Sequence, residues 1–327
     1  MTAWASPAPT PAARGPYTAR SRPDARPSFA QHVRHRAVMN KSALPVLALA
    51  FCLFWSVPAW TKPPVWIVRD ADSEMILFGS VHVLPAGLEW RPEALNKALP
   101  AADDIWFELP MEPGASAQVG QLALSMARLP PGKTLQGLLT PADRVRLAKV
   151  CKRLGLSPAQ LDPFEPWFAE VLLATAEFQR SGATASSGVE EILAGAAPPD
   201  TRRRALETAQ QQLDMFDQAP MADQIASLKD TLRQMESDPG AYDRLVEAWN
   251  AGDLDRLDRE ALSPLRKAAP EIYRRLVTDR NQAWVGPLDE RLKGQGLTIV
   301  VVGVGHLIGP GGVPARLRAL GYSVQGP

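Results

Sequence analysis

Leu297-Thr298-Ile299-Val300-Val301-Val302, running into Gly303-Val304-Gly305-His306, is the stretch that decides the fold. A continuous apolar run rich in β-branched residues, without polar alternation, is the pattern of a strand covered on both faces. Such a strand belongs to a sheet with helices on each side. Near the other end of the chain, Met75-Ile76-Leu77-Phe78 leads into Gly79-Ser80-Val81-His82, a second apolar run that ends in the same Gly-x-x-His frame. Residues 65–69 before it are also β-rich, and the polar cluster Asp70-Ala71-Asp72-Ser73 reads as the turn of a hairpin. Asp104-Ile105-Trp106-Phe107-Glu108-Leu109 makes a third strand, stopped by Pro110.

The stretch between these runs has helical spacing. Residues 91–99 form a helix with Pro92 suited to its first turn. Thr140-Pro141 with Asp143 opens another, which ends near Gly155. Residues 163–180 are mostly apolar, a buried helix, and 182–188 are a small, polar loop. Residues 210–235, 242–257 and 274–292 carry apolar residues at helical intervals. After His306, Gly309-Pro310-Gly311-Gly312 leads to a helix over 313–320 and a last short strand over 322–325. The expected fold is α/β, a single mixed β-sheet built from N- and C-terminal strands, with a large helical insertion at about 111–292.

The first residues read differently. Residues 1–38 hold six arginines against Asp24 and show no hydrophobic periodicity, the composition of a disordered upstream extension. From Met39, Lys41 is followed by an apolar run over 43–57 and by Val57-Pro58-Ala59, the plan of a signal peptide cleaved after Ala59. Residues 60–327 are then the exported domain, periplasmic or secreted, with membrane contact only through an uncleaved leader. That domain keeps 29 basic and 34 acidic residues, a net charge of −5. The electrostatic footprint of nucleic-acid binding is therefore absent. Cys52 leaves with the leader, so Cys151 has no partner for an intramolecular disulfide, and its place in a helical pattern makes it a core residue.

His32 and His35 precede Met39, so the exported domain has only His82 and His306. Both leave an apolar strand in the same frame, and the ends of buried strands are where α/β folds gather ligand sites. A shared site is the consequence. Glu108, near the end of an otherwise apolar strand, is costly there unless paired or metal-bound. Gly309–Gly312 lacks the Gly-Lys-Ser/Thr of a phosphate loop, and Ser80 lies in no Gly-x-Ser-x-Gly frame.

Several stretches in order resemble the TraB/GumN family, which includes the Tiki-type metalloproteases. Residues 79–99 with 103–110 (DDIWFELP) resemble its opening, and residues 300–325 resemble its C-terminal motif. Between them stand Gly188-Val189-Glu190, Leu206-Glu207-Thr208 with Gln211, residues 242–253 (YDRLVEAWNAGD), and Arg280-Asn281 with Trp284. The resemblance covers about residues 65–325. It implies a fold related to erythromycin-esterase-like and haem-binding ChaN-like proteins, and a site of two Gly-x-x-His histidines with a glutamate. Carried onto this chain, His82, His306 and Glu108 are the metal-ligand candidates. Glu108, Glu190, Glu207 and Arg280 are the catalytic candidates. Glu190 departs from the aspartate expected at its place, keeping the carboxylate but lengthening its reach. Residues 202–206 read as a short strand or a helical start, and only the strand brings Glu207 near the site.

Two imidazoles and a carboxylate suit a divalent metal such as Mn, Fe or Co. The resemblance to the Tiki-type members implies Mn or Co foremost, with Fe or Zn also accommodated. The expected function is a metal-dependent hydrolase, a peptidase or another enzyme of amides or esters. The alternatives are a non-catalytic binding protein that sequesters a peptide, metal or haem, and a metal-free esterase with a histidine as general base.

Overall fold

The structure is a computed structural model that describes residues 62–327. The extension and leader expected over 1–59 lie outside the described residues. Each apolar run becomes a strand. The strands are β1 (Val65–Arg69), β2 (Ser73–Ser80), the short β3 (Leu84–Pro85), β4 (Asp104–Phe107), the short β5 (Ala183–Thr184), β6 (Arg202–Ala205), β7 (Gly296–Gly303) and β8 (Ser323–Gln325). Six of them form one mixed sheet in the order β6-β4-β7-β2-β1-β8, while β3 and β5 pair separately.

The hairpin β1–β2 is antiparallel, and its turn closes through Asp70 N–H donating to the Ser73 carbonyl at 3.1 Å. β7 pairs in parallel with β2 on one side and with β4 on the other. It thus occupies the centre of the sheet, as its unbroken apolar run requires. β6 adds in parallel to β4 as the edge strand. The insertion is therefore not wholly helical: residues 202–205 return to the sheet, and three successive arginines occupy that edge. Charged side chains on an edge strand discourage further pairing.

The helices in chain order are α1 (Glu93–Ala98), α2 (Ala115–Met126), α3 (Pro141–Leu154), α4 (Pro166–Arg180), α5 (Val189–Ala196), α6 (Ala209–Asp217), α7 (Met221–Ser237), α8 (Ala241–Ala251), α9 (Arg280–Leu292) and α10 (Val313–Ala319), with shorter turns between. The period-2 geometry of a strand divides the apolar runs between two faces. Ile76, Phe78, Ile105, Phe107, Ile299 and Val301 pack against Leu95, Val189, Leu193 and Trp249, from α1, α5 and α8. Met75, Leu77, Trp106, Val300 and Val302 pack against Trp284, Leu288, Leu292 and Leu317, from α9 and α10. The insertion has its own core, in which Leu147 and Cys151 of α3 meet Leu173 of α4 and Leu228 of α7.

Three helical expectations change, the first over 242–257, where Gly252 at φ 70° ends α8 at Ala251 and a separate turn follows over Leu254–Leu257. Residues 210–235 do not form one helix, because Pro220 has no N–H and the chain breaks between α6 and α7. Residues 274–292 start as a π-helical segment, Arg274–Asp279, before α9 begins at Arg280. Among the described residues, no helix is long and apolar enough to cross a membrane.

Candidate functional site

β2, β4, β6 and β7 run parallel, so their C-terminal ends share one edge of the sheet. His82 follows β2, Glu108 follows β4, Glu207 follows β6, and His306 closes the 3-10 turn Val304–His306 after β7. The sheet register thus brings together residues far apart in sequence. Past the strand ends the ladder continues, with Glu207 N–H donating to the Glu108 carbonyl at 2.9 Å.

Gly303 is the point of convergence. A Cβ built there would lie 3.3 Å from Glu108 Oε1, 3.6 Å from His306 Cδ2 and 3.8 Å from His82 Nε2. Only a residue without a side chain leaves that space open.

Each histidine has its Nδ1 held from behind. Asn281 Nδ2 donates to the Gly311 carbonyl at 3.0 Å, which turns Asn281 Oδ1 toward His306 Nδ1 at 2.7 Å. The His306 proton therefore sits on Nδ1, and its bare Nε2 accepts from Arg280 Nη1 at 3.0 Å. Burial is the largest influence on His306 and lowers its pKa to about 4; Glu108 opposes the shift and Arg280 adds to it. At neutral pH this ring is an uncharged electron-pair donor. His82 is the opposite case. Its Nδ1 donates to Glu190 Oε1 at 2.7 Å, and that carboxylate, acting against burial, raises the imidazole pKa to about 9. The His82 side chain is 62% exposed.

Glu190 is in the first turn of α5, where Ser80 Oγ also donates to its Oε1 at 2.5 Å. Burial raises its pKa most, but His82 and Ser80 outweigh burial and leave it below the usual range. A side chain at Gly188 would collide with the His82 carbonyl, so α5 seats against the His82 loop only with glycine there.

Glu108 is 7% exposed. Its Oε1 accepts from Gly303 N–H at 2.7 Å, and its Oε2 accepts from Arg280 Nη2 at 2.5 Å and Gln212 Nε2 at 3.2 Å. Burial pushes its pKa up, yet Arg280, with the two histidines and the Gly303 N–H, overcomes burial and holds it at about 2. Arg280 also grips Glu207, with Nε donating to Oε1 at 2.8 Å and Nη2 to Oε2 at 2.9 Å. Trp284 Nε1 donates to Glu207 Oε1 at 2.8 Å, and its ring stacks near both the guanidinium and His306. Arg280 is thus a buried hub rather than a solvated helix residue, and Glu207 reaches the site through it.

Sequence reasoning did not find several of these supports. Gln211, which the resemblance pointed to, caps α6 by bonding back to Thr208, whereas its neighbour Gln212 touches Glu108. Tyr242 Oη and Trp249 Nε1, both from α8, donate to the Val83 and Gly79 carbonyls and clamp the His82 loop on both sides. Their spacing of two helical turns, on one helix face, was the signal available in the sequence.

Two imidazoles and a carboxylate facing one gap are a suitable donor set for a divalent ion, and hydrogen-bonded Nδ1 atoms are the usual support for ligating histidines. As placed, His306 Nε2 and Glu108 Oε1 stand 3.8 Å apart, and Arg280 competes for the Nε2 lone pair. Among the described residues, no group of three His, Cys, Asp or Glu side chains is close enough as it stands to hold an ion. Neither the curated proteins nor the solved structures gave a match to this chain. The TraB/PrgY/gumN family description matches residues 64–326, essentially all of the described fold. With that match across the sheet, the insertion and both histidine motifs, the chain belongs to the TraB/PrgY/gumN family.

Proposed function

We propose that this chain is a metal-dependent hydrolase of amide or ester bonds, a peptidase foremost. His82, His306 and Glu108 would hold the metal, His82 giving up a ring proton as the ion binds. Mn or Co is preferred on the family resemblance, and the donor set also accommodates Fe or Zn. The observation that carries the reading is the convergence of the two histidines and Glu108 on Gly303 at the ends of parallel strands. A bound metal would supply Lewis acidity and lower the pKa of a water molecule. The protein's own groups do the rest. Glu190 and Asn281 orient the two imidazoles, Arg280 keeps Glu108 ionised, and Gly303 leaves room for the reacting atoms. Glu207 acts as the counterion that positions Arg280.

The test is cleavage of a mixed peptide and ester panel by purified protein, before and after chelation, with Mn or Co added back. Activity lost on chelation and restored by metal supports the reading. The contact of Arg280 with His306 Nε2 favours a second reading, a metal-free esterase in which the His82–Glu190 pair serves as acid and base. Activity that survives chelation selects that one, and metal or peptide binding without turnover selects a sequestering protein.

We also place the protein in the periplasm or outside the cell, on the composition of residues 39–59 alone. N-terminal sequencing of envelope material should begin near Trp60, and an intact leader on a soluble cytoplasmic product would refute this.

A further inference from the structure

The His82 side of the site opens into a cavity of about 780 Å³. That volume falls within the roughly 300–1,000 Å³ of ligand pockets. Ser80, His82 and Gly303 line it next to the site, and α4 and α7 supply much of the remaining wall. The lining is mostly apolar, with Phe178, Met235 and Leu265 among its surfaces. A second hollow of about 260 Å³ shares Glu170, Ala174, Ser227 and Leu265 with the first, so the two meet at Glu170.

Glu170 differs from every other acid on that wall among the described residues. Glu177 is paired with Arg153 and Arg180, Asp230 with Arg233, Asp238 with Arg244, and Glu260 with Arg244 and Arg256. Glu170 has no such cation among the described residues. Thr231 Oγ1 and Ser227 Oγ donate to its Oε1, at 2.6 and 3.2 Å, and the other oxygen receives no side-chain donor. Burial raises its pKa and the nearby Asp230 adds to that, with only the two hydroxyls in opposition. Glu170 is part-buried, and a carboxylate partly withdrawn from water without a counter-charge is held at a cost that an arriving cation removes. The Glu170 hydroxyl donors fix the carboxylate in place, so little is lost in ordering it when a ligand binds.

We propose that Glu170 is a specificity-determining residue, seating the ammonium or guanidinium of a basic side chain on a peptide that fills this cavity. The binding claim rests on the cavity. The further claim, that the scissile bond of that peptide lies at His82, rests on the hydrolase reading above.

The experiment uses three capped pentapeptides of alanine that carry lysine, leucine or glutamate at the centre. Their binding to the full chain, and to its Glu170→Gln and Thr231→Val variants, is measured by calorimetry. The wild type should bind the lysine peptide on the order of tenfold to a hundredfold more tightly than the other two, the range for a hydrogen bond to a charged group. Glu170→Gln should bring the lysine and leucine peptides to parity. Thr231→Val removes a hydroxyl but keeps the carboxylate, so it should retain the preference and separate charge from packing. Equal binding of all three peptides by the wild type, preference for glutamate, no binding at all, or lysine preference retained in Glu170→Gln would each overturn the proposal. Cleavage of the same peptides is scored separately with Mn present. Preferred binding without cleavage would defeat the hydrolase reading and leave the Glu170 seat standing, whereas cleavage without preference would do the reverse.

Discussion

Arg280 shows how much of the site depends on one side chain. It bonds to Glu108, Glu207, His306 and the Leu276 carbonyl while only 8% exposed. Removing it leaves the buried Glu108 and the part-buried Glu207 without the guanidinium that pairs them both. Arg280→Ala should therefore cost about 3–5 kcal/mol in a urea melt, the range for breaking a buried pair. If His306 and Glu108 hold a metal, added Mn should recover part of that loss, because one cation then replaces another. An Arg280→Ala melt equal to that of the wild type would show that the hub is not structural. At this scale the sequence was legible only where a residue had a chemical reason of its own. His82, His306 and Glu108 stood out because an isolated polar group at the end of an apolar strand needs an explanation. Asn281 and Tyr242 stood only within stretches that resemble the family, with no role attached, and Gln212 not at all, since the atoms they touch are set by the folded path of the chain.

Helix ends and strand ends set these residues in place. Thr140 caps α3 by accepting from Asp143 N–H at 3.2 Å, and its hydroxyl donates back to Asp143 Oδ2 at 2.6 Å. Asp143 is buried. Burial works to raise its pKa, but Thr140, Lys229 and Arg146 outweigh it and hold the group below its ordinary 3.8. Thr140→Ala should destabilise the protein by about 1 kcal/mol, as lost caps do. A carboxylate with a depressed folded pKa contributes stability above its unfolded value and loses it as pH falls below. The gap between variant and wild type, read from thermal melts, should therefore narrow on acidification below 3.8. A gap that widens in acid would contradict this assignment. Thr140-Pro141 and Gly155 made α3 readable at both ends, with Gly155 in the left-handed conformation at φ 71°. Residues 202–205 were harder to read. An all-arginine start reads equally as a short strand or a helical start, and parallel pairing with β4 makes it a strand.

The whole molecule is a sheet made from both ends of the domain and a helical insertion with its own core. That the terminal strands share one sheet was legible because Leu297–Val302 and Met75–Phe78 are too apolar for anything but the centre of a covered sheet. The layering of α3, α4 and α7 was not, since amphipathic helices show which face is buried but not against what. Cys151 lies in that separate core with no exposure, and burial pushes its thiol up to about 11. A thiol reagent at pH 8 should leave native protein unmodified and react fully only after denaturation, and rapid native reaction would show that the insertion opens readily.

Calorimetric titration of Mn into the wild type and His82→Ala decides whether the two strand-end histidines and Glu108 hold one divalent ion, as proposed. The wild type should bind a single equivalent, and His82→Ala should bind on the order of 10–100-fold more weakly or worse, taking the cost of losing a supporting partner as the floor. Equal affinity in the two proteins, or no Mn or Co binding by the wild type, would contradict the account.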